Sequence, residues 1–475
     1  MNLPVSHHTE RKTAYINMNI QSVLIFLLVT VFLFVSNSLL AQQKVLTYDD
    51  AIRIAIEQNI EVKQQMNMMK VSRVNQQQSM ANFLPGVRIN GSASRQNGWQ
   101  WSNEESEMTN TSIDRTNYNI GADMTIFNGL RNVYSLKQSH QLHVAQGEQV
   151  VQSVQDVIFE VSQQYLEVLL DMELIKIAEK DVEVQKKLYD QVEAYKNVGR
   201  STSSELLTQE ARLKKSEVNV ISLQNKLRSD KAGLAKILLL EPHEEFDIIS
   251  PSWDIDSILA NNYHPDTLIK SALDNKPDIR RLKAEEKAAL HGIGISKSAY
   301  LPKLSLFYNY GSDYASDNLR LNPADNSYYH INFEDQLFNN NNFHQYGIAL
   351  EIPIFNRLQT RTSVVRSKIN YENSKLSYQD YEIQLMLDIQ NACQDFTAYK
   401  ESYLAYVISA DVSQQAYQKQ LERYQLGQGS LIELSIENQR NIQSQSEKAQ
   451  AEYILIFQQV VLDYYTGRLS ANGFD

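Results

Sequence analysis

The spacing of apolar residues changes character along this chain in a fixed order, and then the whole order repeats. From residue 49 to 84, Ala51, Ile52, Ala55 and Ile56 recur at threes and fours, the spacing of a helix with one buried stripe. Asp49 and Asp50 put carboxylates in its opening turn, where the positive helix end favours them. Pro85 ends the helix because proline cannot continue the hydrogen-bond ladder. The period then falls to two. Val87, Ile89, Gly91 and Ala93 alternate with Arg88, Asn90, Ser92 and Ser94. Tyr118, Ile120, Ala122, Met124 and Ile126 alternate with Asn119, Gly121, Asp123 and Thr125. These predict two strands, each with an apolar and a polar face. From Leu130 to Val198 there is no proline, and Val154, Val161, Val168, Ile175, Val182 and Tyr189 fall at sevens. That predicts a helix about 100 Å long, packed on neighbours with left-handed supercoil. The turn Val198-Gly199-Arg200-Ser201-Thr202 suits a left-handed glycine followed by a hydroxyl cap, and a return helix runs from Ser203 to Leu240.

The same succession recurs downstream. Residues 266–302 match 49–85 at an offset of 217, and 346–440 match 118–212 at an offset of 228, both without gaps. Leu84-Pro85 returns as Leu301-Pro302, Ile126-Phe127-Asn128 as Ile354-Phe355-Asn356, Gly199 as Gly427, and Glu205-Leu206 as Glu433-Leu434. Non-periodic landmarks in conserved order mark a duplicated half-molecule, with a unit far longer than a solenoid repeat. In the second copy Leu304, Leu306, Tyr308 and Tyr310, then Tyr346, Ile348, Leu350, Ile352 and Ile354, give the alternating strands. A long helix over Leu358–Leu426 carries Ile389, Phe396, Tyr403, Ala410, Tyr417 and Tyr424 at sevens, and a return helix covers Leu431–Leu469. Each return helix is about half as long as its partner. The opening helices, 49–84 and 266–301, have the length to complete each hairpin. Polar stretches Gln96–Asn117, with Trp99 and Trp101, and Ser316–Asn342 are predicted loops between strands.

Strand segments of about ten residues, apolar on one face and polar on the other, are the mark of a transmembrane barrel, and Tyr118, Tyr310 and Tyr346 suit an interfacial aromatic girdle. Four strands cannot close such a barrel, so the chain is expected to oligomerise. The N-terminus supports an envelope location. Arg11 and Lys12 precede the apolar run Val23–Val35, and small and apolar residues end at Ala41, so residues 1–41 are predicted to be a signal peptide cleaved before Gln42, with Met18 an alternative start and an uncleaved anchor the competing reading. The net charge of −11 and the lack of a basic stripe disfavour a nucleic-acid partner. Cys393 is the single cysteine, which excludes an intrachain disulfide and a cysteine metal cluster. His140 and His143 stand at i, i+3 without a Glu or Cys partner pattern and are read as a surface pair. No P-loop, HExxH, CxxC or nucleophile elbow occurs. No enzymatic activity, cofactor or metal is expected.

These features together resemble the TolC-type outer-membrane efflux proteins. The residues that carry the resemblance are the Ala-Ile-x-x-Ala-Ile-x-x-Asn opening at 51–59, the two Leu-Pro pairs, Ile354-Phe355-Asn356, and the glycine turns with Glu433-Leu434. The resemblance covers about residues 44–469. It implies a mainly α fold with a small transmembrane β part: a homotrimer whose four strands per chain make a 12-stranded β-barrel in the outer membrane, above an α-helical barrel in the periplasm. It divides the chain into a first repeat over 42–240, a linker or equatorial segment over 241–265 that supplies most of any belt, a second repeat over 266–469 and a tail over 470–475.

The implied function is the exit duct of a tripartite efflux or type I secretion system, conducting passively what an inner-membrane transporter expels through a periplasmic adaptor. Val198, Gly199, Leu426 and Gly427 are then the adaptor-docking residues. Asp190, Glu193, Asp411 and Glu422 are candidate charges near the tips, each weighed against a solvated outer face. Arg88, Asp123 and Glu351 lie on the polar strand face and are candidates for the barrel lumen. The competing readings are a periplasmic coiled-coil scaffold or adaptor, which needs no alternating strands, and a free-standing porin, which needs no helices of this length.

Overall fold

The computed structural model describes residues 44–102, 105–241, 246–251 and 253–469. The predicted signal peptide, its cleavage site, and the tail over 470–475 lie outside the described residues. In chain order the elements are β1 (Lys44–Leu46), α1 (Tyr48–Gln58), α2 (Ile60–Ala81), β2 (Gly86–Ser102), β3 (Glu107–Asn128), α3 (Arg131–Asn197), α4 (Ser203–Ile237), β4 (Phe246–Ile248), α5 (Ile255–Ala260), α6 (Pro265–Asn275), α7 (Pro277–Ser298), β5 (Lys303–Ala315), β6 (Leu319–Leu321), β7 (Tyr328–His330), a π-helical turn (Asp335–Asn340), β8 (Phe343–Glu351), α8 (Gln359–Gln425) and α9 (Leu431–Tyr465).

The two long helices, α3 and α8, have 67 residues each, about 100 Å. Each is matched by two shorter helices laid end to end. Towards the strands the lateral order is α2, α3, α7, α8; towards the tips it is α4, α3, α9, α8. This is the long-against-two-short arrangement the helix lengths required. The opening helices are not continuous, however. Asn59 and Lys276 adopt extended backbone and divide each into an 11-residue and a 22-residue piece. Asn59 accepts from the Val62 amide and caps α2, while Pro277 begins α7 at the first helical position, which proline favours.

The apolar core is concentrated at the level of these breaks. One cluster joins Ala51, Ile52 and Val62 to Val157, Val161, Val168 and Leu234; a second joins Leu268, Ala272 and Ile279 to Ile389, Phe396, Leu455 and Leu462. The three-residue strands β1 and β4, which the alternation was too short to signal, pair in parallel here. Tyr165 holds both, its hydroxyl donating to the carbonyls of Leu46 (3.1 Å) and Ile249 (2.7 Å). Residues 246–248 of the linking segment are thus tied to residues 44–46 at the level of the breaks. Near the tips the core shrinks to Leu188, Tyr417 and Leu434.

β2, β3, β5 and β8 form one antiparallel sheet in that order, with β2 and β8 at its edges. The first predicted loop is overturned: residues 96–102 and 107–117 continue the β2–β3 ladder, up to Ser102 opposite Glu107. Polar side chains hid the strand from a hydrophobic pattern, but its pairing is made by the backbone. The second loop holds the β6–β7 pair and the π-helical turn. β8 ends at Glu351, short of the predicted Ile354; Pro353 cannot donate to a ladder.

Candidate functional site

The register of the sheet separates two chemistries. Val87, Ala122, Tyr308 and Tyr346 stand side by side across the strands, as do Ile89, Ile120, Tyr310 and His344. With Met124, Leu306, Ile348 and Leu350 they make one continuous apolar face, and Ile89, Ile348 and Leu350 are exposed. The opposite face carries Arg88, Asn90, Asn119, Asp123, Asn309 and Gln345. There the Arg88 guanidinium donates to the Asp123 carboxylate, and Lys303 stands opposite Glu351. The three lumen candidates therefore share the polar face. Large rings on it are accommodated by glycine: Phe307 lies over Gly347, and Phe343 over Gly311.

Aromatic rings bound the apolar face at both ends. Tyr118 and Tyr310 meet edge to face at one end, 6.2 Å between centroids. At the other end Phe127, Phe355, Phe83 and Tyr300 are exposed around the strand–helix junctions, where an extra residue, Ile126, bulges β3. From Tyr118 to Phe127 the strand rises about 30 Å, or about 23 Å along the normal at a barrel-like tilt, close to the hydrophobic height of an outer-membrane barrel. Among the described residues no helix is long and apolar enough to cross a membrane.

The two helical tips are built alike. Gly199 has φ +74° and Gly427 φ +71°, and no neighbouring atom crowds either α-carbon. The Arg200 amide reaches back to the Tyr195 carbonyl (2.8 Å), and Gln428 to Arg423 (2.8 Å), the six-to-one bond of a Schellman stop. Thr202 with Glu205, and Ser430 with Glu433, then form reciprocal capping boxes. The cap backbone amide, joined by the Ser201 hydroxyl at Glu205 and the Gln420 side-chain amide at Glu433, holds both glutamates below the usual carboxylate range. Beside each glycine an apolar side chain stands in solvent: Val198 is 69% exposed and Leu426 73%. The four docking candidates thus occupy equivalent places on two matched turns.

The four acidic candidates do not gather in one chain. Asp190 and Glu193 are exposed on α3, where Glu193 is the leading cause of an upward push on the Tyr189 hydroxyl, with Glu210 of α4 adding to it. Asp411 and Glu422 are exposed on α8, and Asp411 lines an open groove of about 750 Å³ with Glu173, Lys180 and Glu452. A polar layer above the tips escaped the heptad reading. Asp181 of α3 accepts from Asn438 of α9 (2.7 Å) and from Gln185 (3.1 Å), and Gln209 of α4 donates to the Gln185 side chain (2.8 Å). The buried positions here are Gln185, Leu188 and Val192 rather than Val182 and Tyr189. An ideal helix drifts against a seven-residue repeat, so the packed stripe moves round the helix over many turns. His140 and His143 are tied to α2 through Gln76 (3.3 Å) and Ser72 (2.8 Å).

Residues 51–238 and 268–468 match the sequence profile of the family described as outer membrane efflux protein. The chain belongs to that family. This efflux protein is similar to the pyoverdine export outer membrane protein OpmQ of Pseudomonas putida, 24% identical over 380 residues that cover 78% of this chain and 75% of OpmQ. Its fold is shared with the outer membrane protein VceC of Vibrio cholerae (TM-score 0.74, 14% identity, 88% of this chain and 96% of that one). It is shared as well with the open state of the MtrE outer membrane channel of Neisseria gonorrhoeae (TM-score 0.72, 16% identity, 88% of each chain). The efflux protein therefore resides in the outer membrane, with its helices forming the periplasmic tunnel part and its strands the membrane part. That placement overrides the reading as a scaffold without a membrane barrel.

Proposed function

We propose that three copies of this efflux protein close into a passive exit duct, which receives substrates from an inner-membrane transporter through a periplasmic adaptor seated on the tips. The observation that carries this reading is the set of unsatisfied lateral edges. Among the described residues β2 and β8 each lack a neighbour on one side. The helical layer likewise ends in α2 and α4 on one flank and α8 on the other. α8 carries exposed Ile369, Leu376 and Ile383 at sevens, and the far flank carries exposed Val71 and Val74 on α2 and Leu207, Val218 and Ile221 on α4. Two different edges that fit one another generate a ring. Two copies would give eight strands, whose interior side chains fill; three give twelve, enough for a conduit. In that ring the apolar strand face meets lipid, and Arg88, Asp123 and Glu351 line the lumen.

The tips suit a gate. Their apolar core is small, and the polar layer of Asp181, Gln185, Gln209 and Asn438 holds the helices by directional bonds that can exchange partners. Adaptor contacts at Val198, Gly199, Leu426 and Gly427 would bias an iris-like opening. Asp190, Glu193, Asp411 and Glu422, repeated threefold, would set charge preference near the constriction. The class of cargo is carried by the partner pump.

Electron microscopy of the mature protein extracted from membranes in detergent tests the assembly: a threefold cylinder clearly longer than about 100 Å is expected, and a monomeric or dimeric rod needing no detergent would overturn it. Val198→Asp with Leu426→Asp tests the docking. The cylinder should persist while adaptor co-purification and export in cells are lost; unchanged co-purification would remove the tips from the interface.

A further inference from the structure

The β2–β3 hairpin stands beyond the rest of the sheet. β3 pairs with β5 only as far as Arg115 opposite Ala315, and β5 with β8 only to Gly311 opposite Phe343, whereas β2 and β3 remain paired to Ser102 and Glu107. The projecting part rises about 23 Å along the strand. Its register is unbroken, so the side chains on its outer face continue the apolar face below: Asn97 beside Ser112, Trp99 beside Asn110, Trp101 beside Met108. Trp99 is 74% exposed and Trp101 55%. The strand pair beneath them is braced by Gln100, whose side chain donates to the Gln96 carbonyl (3.1 Å) and, across the hairpin, to that of Thr111 (2.9 Å).

The height of this pair separates it from an ordinary membrane girdle. Tyr118, opposite Gly91, marks the outer end of the apolar face. Between that level and the tryptophans stands Arg95, on the same outer face, with both its Nε and Nη2 donating to the Asp114 carboxylate at 2.5 and 2.7 Å. A charged pair on the lipid side marks the end of the hydrocarbon, because charges there are costly. Trp99 and Trp101 lie about 26 and 33 Å along the strand beyond the Gly91–Tyr118 level, too far out for acyl chains. They are still on the wall that faces sideways into the membrane surface.

We propose that this face binds the saccharide of the outer-leaflet glycolipid. Two exposed indoles at i and i+2 on one face offer apolar surfaces about 7 Å apart, a spacing suited to the C–H faces of consecutive sugar rings. Asn97, Asn110 and Ser112 beside them supply the donors and acceptors that sugar hydroxyls need. Arg95, the cation on this face, is already neutralised by Asp114, so the neutral sugar and not the phosphate is the group selected. The contact would anchor the channel rotationally in the leaflet. It rests on the outer-membrane location and not on the pump reading, so its failure leaves the duct untouched.

The test uses the full-length protein carrying Trp253→Phe, which leaves Trp99 and Trp101 as the fluorophores of the chain's three tryptophans. Core oligosaccharide released from lipopolysaccharide by mild acid should change their emission saturably. Trp99→Ala with Trp101→Ala, read by calorimetry on the otherwise unmodified chain, should weaken that binding at least tenfold while leaving the assembly and its melting temperature unchanged. Absence of saturable binding, or binding that the double variant retains, overturns the proposal. So does quenching of the two indoles by vesicles of brominated phosphatidylglycerol, which would place them among acyl chains.

Discussion

At residue 59 the first copy breaks its opening helix with an asparagine whose side chain caps α2. At the equivalent residue 276 the second copy has a lysine that caps nothing. Lys276 is almost fully buried, donates to the Tyr464 carbonyl at the end of α9 (3.1 Å) and lies 3.6 Å from the centre of the Tyr464 ring. The helices that return to this level differ in the same sense. α4 and α9 both stop with a left-handed residue, but it is Leu239 in the first copy and Gly467 in the second. Gly467 presses on the break itself, and a β-carbon there would come within 3.0 Å of the Asn275 carbonyl and the Lys276 α-carbon. Leu239 is 44% exposed. The second copy therefore locks its return helix to its own joint, while the first leaves that corner open. The tips, by contrast, share the same left-handed glycine, six-to-one bond and capping box. The two copies differ where the core is thick and agree in the backbone stop and capping box at the tips.

Gly467→Ala should have the largest effect. It meets both a left-handed backbone and crowded neighbours, and should cost about 2–4 kcal/mol, read as a fall in melting temperature of the detergent-solubilised protein. Gly199→Ala and Gly427→Ala meet the same backbone penalty in open space and should cost only about 1–2 kcal/mol each. Equal losses at all three sites would show that the joint is not packed as described. Next in size are the caps. Thr202→Ala and Ser430→Ala should each cost about 1 kcal/mol, and by the same amount. A clear difference between them in melting experiments would mean that the two tips are not energetically alike.

How far the sequence carried can be judged at these same places. The tips were legible because each step has one economical residue: glycine for the left-handed stop, a hydroxyl to cap, a glutamate three positions on. The two faces of the sheet were legible wherever apolar residues alternate. The upper β2–β3 hairpin was not, since Gln96 to Thr111 hold their register by backbone pairing with little apolar contrast. The breaks were signalled but outvoted. Pro277 biases Lys276 towards extended backbone, and Asn59 is a favoured cap, yet the apolar spacing runs straight through both. Pairing of β1 with β4 joins residues 44–46 to 246–248, and no local pattern could reveal it. Nor could the lateral neighbours of Asp190, Glu193, Asp411 and Glu422 be read from the sequence, because they depend on how helices from both copies come together.

The last effect is the one most specific to the second copy. Burial pushes the Lys276 ammonium down from its ordinary value to about 8. Between pH 8 and 10.5 the unfolded chain keeps a proton that the folded chain has released, so stability should rise with pH across that window, by up to about 1.4 kcal/mol per unit. Buried tyrosines act oppositely at higher pH: burial pushes Tyr381 and Tyr464 well above the usual phenol range, so the unfolded state loses their protons first and stability falls above about pH 10. The clean interval is therefore pH 8 to 9.5, where the melting temperature of the wild-type protein should climb. Lys276→Met keeps the apolar stem and removes the titrating group. It should flatten that climb and should not greatly lower stability at pH 7, because the charge it deletes was buried at a cost that the Tyr464 carbonyl and ring offset only in part. A Lys276→Met protein whose melting temperature still climbs between pH 8 and 9.5 would assign the titration to another group and leave the second joint no different from the first.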